Sequence, residues 1–138
     1  NPNVHVNRSR STNYAFPAAI HIAAAAGIEH RLLLEVQRLS DALAAKCEAW
    51  QDIVKIGRTH LQDAVPLTLG QEASAWRDQL SSARNRIETS LQELFPLPLG
   101  GTAVGTGLNA PEGFADQAAT ELARLSGLPL VSAPTNLL

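Results

Sequence analysis

Apolar residues recur along much of this chain at helical spacing. Leu32, Val36, Leu39, Leu43, Cys47, Trp50 and Ile53 follow one another at steps of three and four, which places them on one face of a helix over about Glu29 to Ile53. Leu69, Ala73, Trp76, Leu80, Ala83, Ile87, Leu91 and Leu94 repeat the pattern and predict a second long helix over about Thr68 to Leu94. The steps are nearly heptad, as in helices packed almost parallel in a bundle. Its other face carries Arg77, Asp78, Arg84, Arg86, Glu88 and Glu93. An earlier helix starts near Asn13, where Ser11, Thr12 and Asn13 are all capping residue types, with Pro17 in its first turn and Gly27 as its stop. A fourth covers about Pro111 to Ser126, with Glu112 at its start and Gly127 and Pro129 beyond its end. Between the long helices, IVKIG (53–57) reads as a short extended segment with β-branched residues.

The predicted fold class is therefore mainly all-α, a long-helix bundle. Two helices of roughly 37 Å at 1.5 Å per residue are too long for 138 residues to cover on both faces. Further helical partners, from more chain or from other subunits, are expected. Composition narrows the classes. The residues are 45% hydrophobic and the formal net charge is −2, so nothing points to nucleic acid or an anionic membrane as partner. No apolar run approaches the roughly 20 residues of a membrane span. A lone Cys47 cannot form an internal disulfide and suits a reducing compartment. On an apolar face, it reads as a small core residue. The sequence has no methionine, and the expectation is a piece of a longer polypeptide.

Three polar clusters interrupt the helical pattern. RSRSTN (8–13) offers hydroxyls, an amide and a helix N-terminus, which suits either ordinary capping by Asn13 or Thr12 or the binding of a carboxylate or phosphate. GRTHLQD (57–63) contains a histidine flanked by polar residues, suited either to a structural hydrogen bond or to acid–base work near neutral pH. GGTAVGTGLN (100–109) lacks the ending of a Walker loop and the spacing of a dinucleotide fingerprint, so nucleotide binding is rejected. Its Gly100, Gly101, Gly105 and Gly107 are expected to permit positive φ and close backbone approach, and Thr102, Thr106 and Asn109 to supply hydrogen bonds. His21 and His30, on or beside helices, read as structural or exposed. No Cys/His pair has metal-site spacing, and no metal is proposed.

In order and spacing, NPNVHVNRSRSTN, IVKIGRTHLQDAVPLTLGQE and LGGTAVGTGLN resemble class II fumarases of the fumarase/aspartase superfamily. The resemblance spans nearly the whole chain. It implies a lyase that reversibly hydrates fumarate to malate without metal or organic cofactor. It implies a homotetramer with a central helical bundle and active sites shared between subunits. Residues 1–12 would close an N-terminal domain and 13–138 would begin the central helical domain. By the same resemblance Ser11, Thr12, Asn13 and Thr59 bind substrate, and His60 is the catalytic acid–base residue. In aspartase-like ammonia lyases the usual phrase has glutamine at that position, so His60 favours fumarase. The expected setting is the cytoplasm, or the mitochondrial matrix in a eukaryote.

Two departures from the family pattern stand out. Tyr14 follows Asn13 where the family usually has aspartate. Asn1-Pro2-Asn3-Val4 stands where a peripheral anion site usually reads His-Pro-Asn-Asp, so that site is expected to be lost or altered. The signature G-S-S-x-x-P-x-K-x-N, which in the family carries the serine base and a carboxylate-binding lysine, does not occur in the 138 residues. The isolated chain is therefore expected to be inactive. Two rival readings are an ammonia lyase of the same superfamily and a non-catalytic helical scaffold.

Overall fold

The computed structural model describes residues 1, 5, 6 and 8–134. Pro2, Asn3 and Val4 of the expected peripheral site lie outside the described residues. The chain divides into two compact units, Asn1–Glu29 with Ser90–Leu138, and His30–Thr89.

The first unit begins with α1, Thr12–Gly27. Ser11 is its N-cap, with an extended backbone and a hydroxyl that accepts from the Asn13 N–H at 3.3 Å. Pro17 lies inside α1, further along than the first turn expected from sequence. It has no N–H to offer the Asn13 carbonyl. Tyr14, Ala18 and Ala25 are the buried face of this helix. His21 is half-buried, and its Nδ1 has no hydrogen-bond partner among the described residues.

Strands β3 (Pro96–Leu97) and β4 (Val131–Ser132) pair in parallel. Between them runs α4, Phe114–Ser126. Its start differs from the sequence expectation. Gly113 caps it in a left-handed conformation, so Glu112 precedes the helix and Asp116 is the acid of its first turn. Its end agrees, with Gly127 left-handed at φ +71° and its N–H donated to the Ala123 carbonyl at 2.9 Å. Leu91, Phe95, Leu97, Leu99, Leu128 and Leu130 are buried around this strand pair, Leu97 completely.

After α1 comes a π-helical turn, Ile28–Leu32. Gly27 therefore does not stop the helix as expected. It is not among the positive-φ residues, and Ile28 continues in right-handed helical geometry.

The second unit holds α2 (Leu33–Ala49), the antiparallel hairpin β1 (Val54–Thr59) and β2 (Gln62–Thr68), and α3 (Leu69–Leu91, its last two residues belonging to the first unit). Helix α2 is shorter than the predicted 29–53. The wider π turn precedes it, and Trp50 leaves helical geometry at φ −111° and ψ 11°. Helix α3 is close to its predicted range, with a 3₁₀ turn, Gln92–Leu94, completing it.

Thr68 starts α3 through a reciprocal capping box. The Gln71 side chain accepts from the Thr68 N–H at 2.8 Å, and the Thr68 hydroxyl accepts from the Gln71 N–H at 3.1 Å. The Gly70 N–H donates to the Trp50 carbonyl at 2.9 Å. A Cβ at Gly70 would lie 2.7 Å from the Cys47 carbonyl oxygen, so only glycine lets the two backbones approach here.

Apolar residues on both helices line a shallow groove of about 440 Å³, among them Leu39, Leu43, Trp76 and Leu80. Leu39 is 53% and Trp76 48% exposed. At mid-length the helices are also joined by Arg84, which donates to Gln37.

Candidate functional site

Two of the three polar clusters meet in the first unit. Ser9, Arg10, Ser11 and Thr12, at the start of α1, form one wall of an open cavity of about 660 Å³. Thr102, Ala103, Val104, Thr106, Leu108 and Asn109 form the other. Local backbone chemistry shapes both walls. The Ser11 carbonyl accepts from the N–H groups of Tyr14 and Ala15 at 3.1 and 2.9 Å, opening the helix. The first-turn amides beyond it give this end of α1 its partial positive charge.

On the facing wall the Gly101 carbonyl accepts from the N–H groups of Gly105 and Gly107 at 2.9 and 3.1 Å, coiling the loop tightly. Gly100, Gly105 and Gly107 take positive φ as expected, and Gly101 does not. Ser9, Thr102 and Asn109 take it as well, at +58°, +57° and +66°. Non-glycine residues in that region carry strain. The cross-link between the walls uses the main-chain oxygen of Asn109, which accepts from Ser9 Oγ at 3.5 Å, rather than the Asn109 side chain.

Ser11 is half-buried, and Thr12 and Asn13 are exposed. Arg10 is the charged residue of the lining, and its guanidinium donates to the Val6 carbonyl at 3.1 Å. Tyr14 is buried in the core of this unit, beside the Ser11 cap.

The third cluster is the hairpin of the second unit. Thr59 ends β1, Gln62 begins β2, and the two pair directly, leaving His60 and Leu61 as a two-residue turn. Both have positive φ, +49° and +60°, the signature of a type I′ turn, whose twist matches that of the strands. Glycine or asparagine normally fills these positions because side chains there are strained. Leu61 is 96% exposed, and Thr59 and His60 are exposed. Arg58 and Asp63 flank the turn as a cross-strand ion pair at 3.3 Å.

Further down, register changes between Ile56 and Arg58. Ala64 and Val65 together oppose the single Gly57, a β-bulge on β2. A Cβ at Gly57 would lie 2.8 Å from the Val65 carbonyl oxygen. At the base, Lys55 Nζ lies 2.6 Å from Glu72 Oε2 in the first turn of α3.

The sequence pattern predicts IVKIG as a short extended segment and the following residues as a junction to the next helix. The second strand and the bulge are additions from the structure. Neither carries a clear sequence signal, because the turn lacks an Asn-Gly or Asp-Gly pair and Pro66 interrupts the donor pattern of β2. The cavity wall at 102–109, expected from sequence only to supply hydrogen bonds, lines the same cavity as the start of α1.

Chemically, the cavity sets hydroxyls of both walls beside Arg10 and the positive end of the α1 dipole in one concave surface, a combination suited to a carboxylate. The turn offers an accessible imidazole.

Residues 1–137 match the family described as Lyase (Lyase_1). The chain is 68% identical to a class II fumarate hydratase of Prochlorococcus marinus over 96% of its own length and 28% of the relative's. It is 53% identical to the mitochondrial fumarate hydratase of Rattus norvegicus over 96% of its length and 26% of that protein. The chain thus spans little more than a quarter of these relatives. The crystal structure of a class II fumarase from Schistosoma mansoni superposes on 99% of the chain and 32% of its own with a TM-score of 0.94, at 34% identity.

Proposed function

The chain belongs to the lyase family matched over residues 1–137, the fumarase/aspartase superfamily, and from that premise we propose that it supplies part of the active site of a class II fumarate hydratase. The reaction in this reading is the reversible hydration of fumarate to malate. The observation that carries it is the cavity at the start of α1, where Ser11 and Thr12 face a second hydroxyl-bearing wall.

The residues then divide the chemistry as follows. Removing the proton next to a malate carboxylate drives negative charge onto that carboxylate. Fixed donors at the α1 terminus, with Ser11, Thr12 and Asn13, stabilise that charge where it forms. Thr59 holds the substrate from the hairpin. His60, exposed at the turn, delivers the proton that leaves with the hydroxyl as water, directly or through a bound water. The serine base and the lysine of the family signature are not among these 138 residues. In this reading the isolated chain does not turn over, and residues beyond it complete the site. The peripheral anion site that begins at Asn1 is lost or altered.

Three further elements belong to the proposal. The exposed apolar positions of α2 and α3, Leu39 and Trp76 among them, support assembly with other chains into a homotetramer with shared active sites. Residues 1–12 end one domain and 13–138 begin the next. No helix among the described residues is long and apolar enough to cross a membrane, and the setting proposed is the cytoplasm, or the mitochondrial matrix in a eukaryote.

A chimera tests the reading. The matching segment of the 68% identical fumarate hydratase is replaced by this chain, and the purified product is assayed in parallel for fumarate loss and for ammonia release from aspartate. Fumarate hydration without ammonia release is the expected result. Ammonia release would favour the aspartase-like alternative, and a folded chimera with neither activity would favour a scaffold.

A further inference from the structure

We propose that the Lys55–Glu72 ion pair is a positioning device that sets the angle of the β1–β2 hairpin and thereby the place of His60. The proposal rests on the reading of His60 as the proton donor.

The hairpin is an arm with little to hold it. Val54 and Val65 are largely exposed and Leu61 is almost wholly so. Apolar burial is confined to the base, where Ile56 and Leu67 are half-buried, and does not reach the tip. Three links anchor its base. The Leu69 N–H donates to the Ile53 carbonyl at 2.8 Å, the Thr68–Gln71 capping box joins the end of β2 to α3, and Lys55 meets Glu72 at 2.6 Å. The first two are at the junction itself and leave the arm free to tilt about it. The ion pair is the link that crosses from the strand to the flank of the helix, 17 residues apart in sequence. Among the described residues it is the hairpin's one ion pair to a helix. Both side chains are one-third exposed, so the pair is partly withdrawn from water and its geometry is restricted.

Leverage makes the angle matter. His60 stands five residues beyond Lys55, roughly 16 Å along a strand. A tilt of about 4° at the base therefore shifts the imidazole by about 1 Å, a displacement that costs on the order of 100-fold in rate when a catalytic group is misplaced. Between base and tip the Gly57 bulge adds a fixed twist, and the Val65 carbonyl fills the space a side chain at position 57 would need. Bulge and ion pair together aim the tip. Neither Lys55 nor Glu72 touches substrate in this scheme.

The test uses the chimera described above and the 138-residue chain itself. In the chimera, Glu72→Gln is expected to lower kcat for fumarate hydration at least tenfold, with KM changed less than twofold and the melting temperature unchanged. The exchanged pair Lys55→Glu with Glu72→Lys is expected to restore kcat to within threefold. An unchanged kcat in Glu72→Gln overturns the proposal. So does a loss that the exchanged pair does not rescue, or one that tracks a lower melting temperature. In the 138-residue chain, amide exchange needs no activity. Glu72→Gln is expected to speed exchange of the β1 amides at least tenfold and leave the middle of α3 unchanged, and equal rates in both proteins overturn the proposal. An inactive unsubstituted chimera would count against the reading of function, while the exchange experiment still decides the role of the pair.

Discussion

The two units of this chain bury their apolar residues very differently. Among the described residues, every buried hydrophobic residue apart from Ala73 belongs to the first unit, where Leu97 and its neighbours close around a short parallel strand pair. The second unit has comparable hydrophobic content in its long helices, yet Leu34, Leu39 and Trp76 remain about half exposed. A heptad pattern therefore marks a face meant to be covered, and does not say by what. The first unit supplies its own cover. The second is organised by backbone links and ion pairs, with faces available for other helices. The proposed catalytic histidine sits on the unit with the thinner core, at a strained turn that the rest of that unit does not bury.

The largest effect that would sharpen this contrast is in the first unit. Leu97→Ala removes a fully buried side chain and should cost about 3 kcal/mol of unfolding free energy, measured by chemical denaturation. A loss near zero would mean that the strand pair is not the core it resembles. In the second unit the greatest sensitivity should lie in backbone approach. Gly70→Ala forces a methyl group against the Cys47 carbonyl and should cost about 2 kcal/mol. Faster amide exchange in the first turn of α3 would accompany it, and an unaltered exchange pattern would argue against the close approach.

The smallest effect concerns surface charge on α4. Arg124 beside Glu121, with oxygen and nitrogen 2.6 Å apart, holds the Glu121 carboxyl below its ordinary value of 4.5. A depressed carboxyl contributes stability above the unfolded-state pKa and loses it as pH falls through the folded one. Glu121→Gln should therefore lower the melting temperature less on acidification from pH 7 to pH 3 than the parent does. Near neutrality the variant should melt slightly below the parent, by little because the pair is exposed, and at pH 3 the two should converge.

How much of this was legible in the sequence differs between elements for physical reasons. Helix α3 was placed almost to its ends, since a repeat sustained from Leu69 to Leu91 outweighs local ambiguity. The stop at Gly127 was legible because a left-handed cap favours glycine. Strand β2 was not. Pro66 interrupts its donor pattern, and the His60–Leu61 turn lacks the Asn-Gly or Asp-Gly signal of a tight hairpin. The π turn at Ile28–Leu32 carries no composition cue, so Gly27 looked like a stop. Strands β3 and β4 are two residues each, too short for alternation to show.

The candidate site was legible as three polar clusters. Their residues gave no indication that loop 102–109 faces the start of α1, because contacts between residues some 100 positions apart, such as Ser9 with Asn109, leave no periodic trace. Residue type pointed to a cap in this segment, but the cap is Ser11 rather than the expected Asn13 or Thr12, because the helix begins at Thr12. The Lys55–Glu72 pair joins two elements whose register had first to be known.

The most direct measurement is fumarate hydration by the chimera carrying His60→Gln. If the turn presents the proton donor, kcat should fall about 100-fold or more, while amide exchange in the hairpin and in the α1 cap stays as in the parent. A variant that hydrates fumarate at the parental rate would contradict the placement of catalysis on this turn.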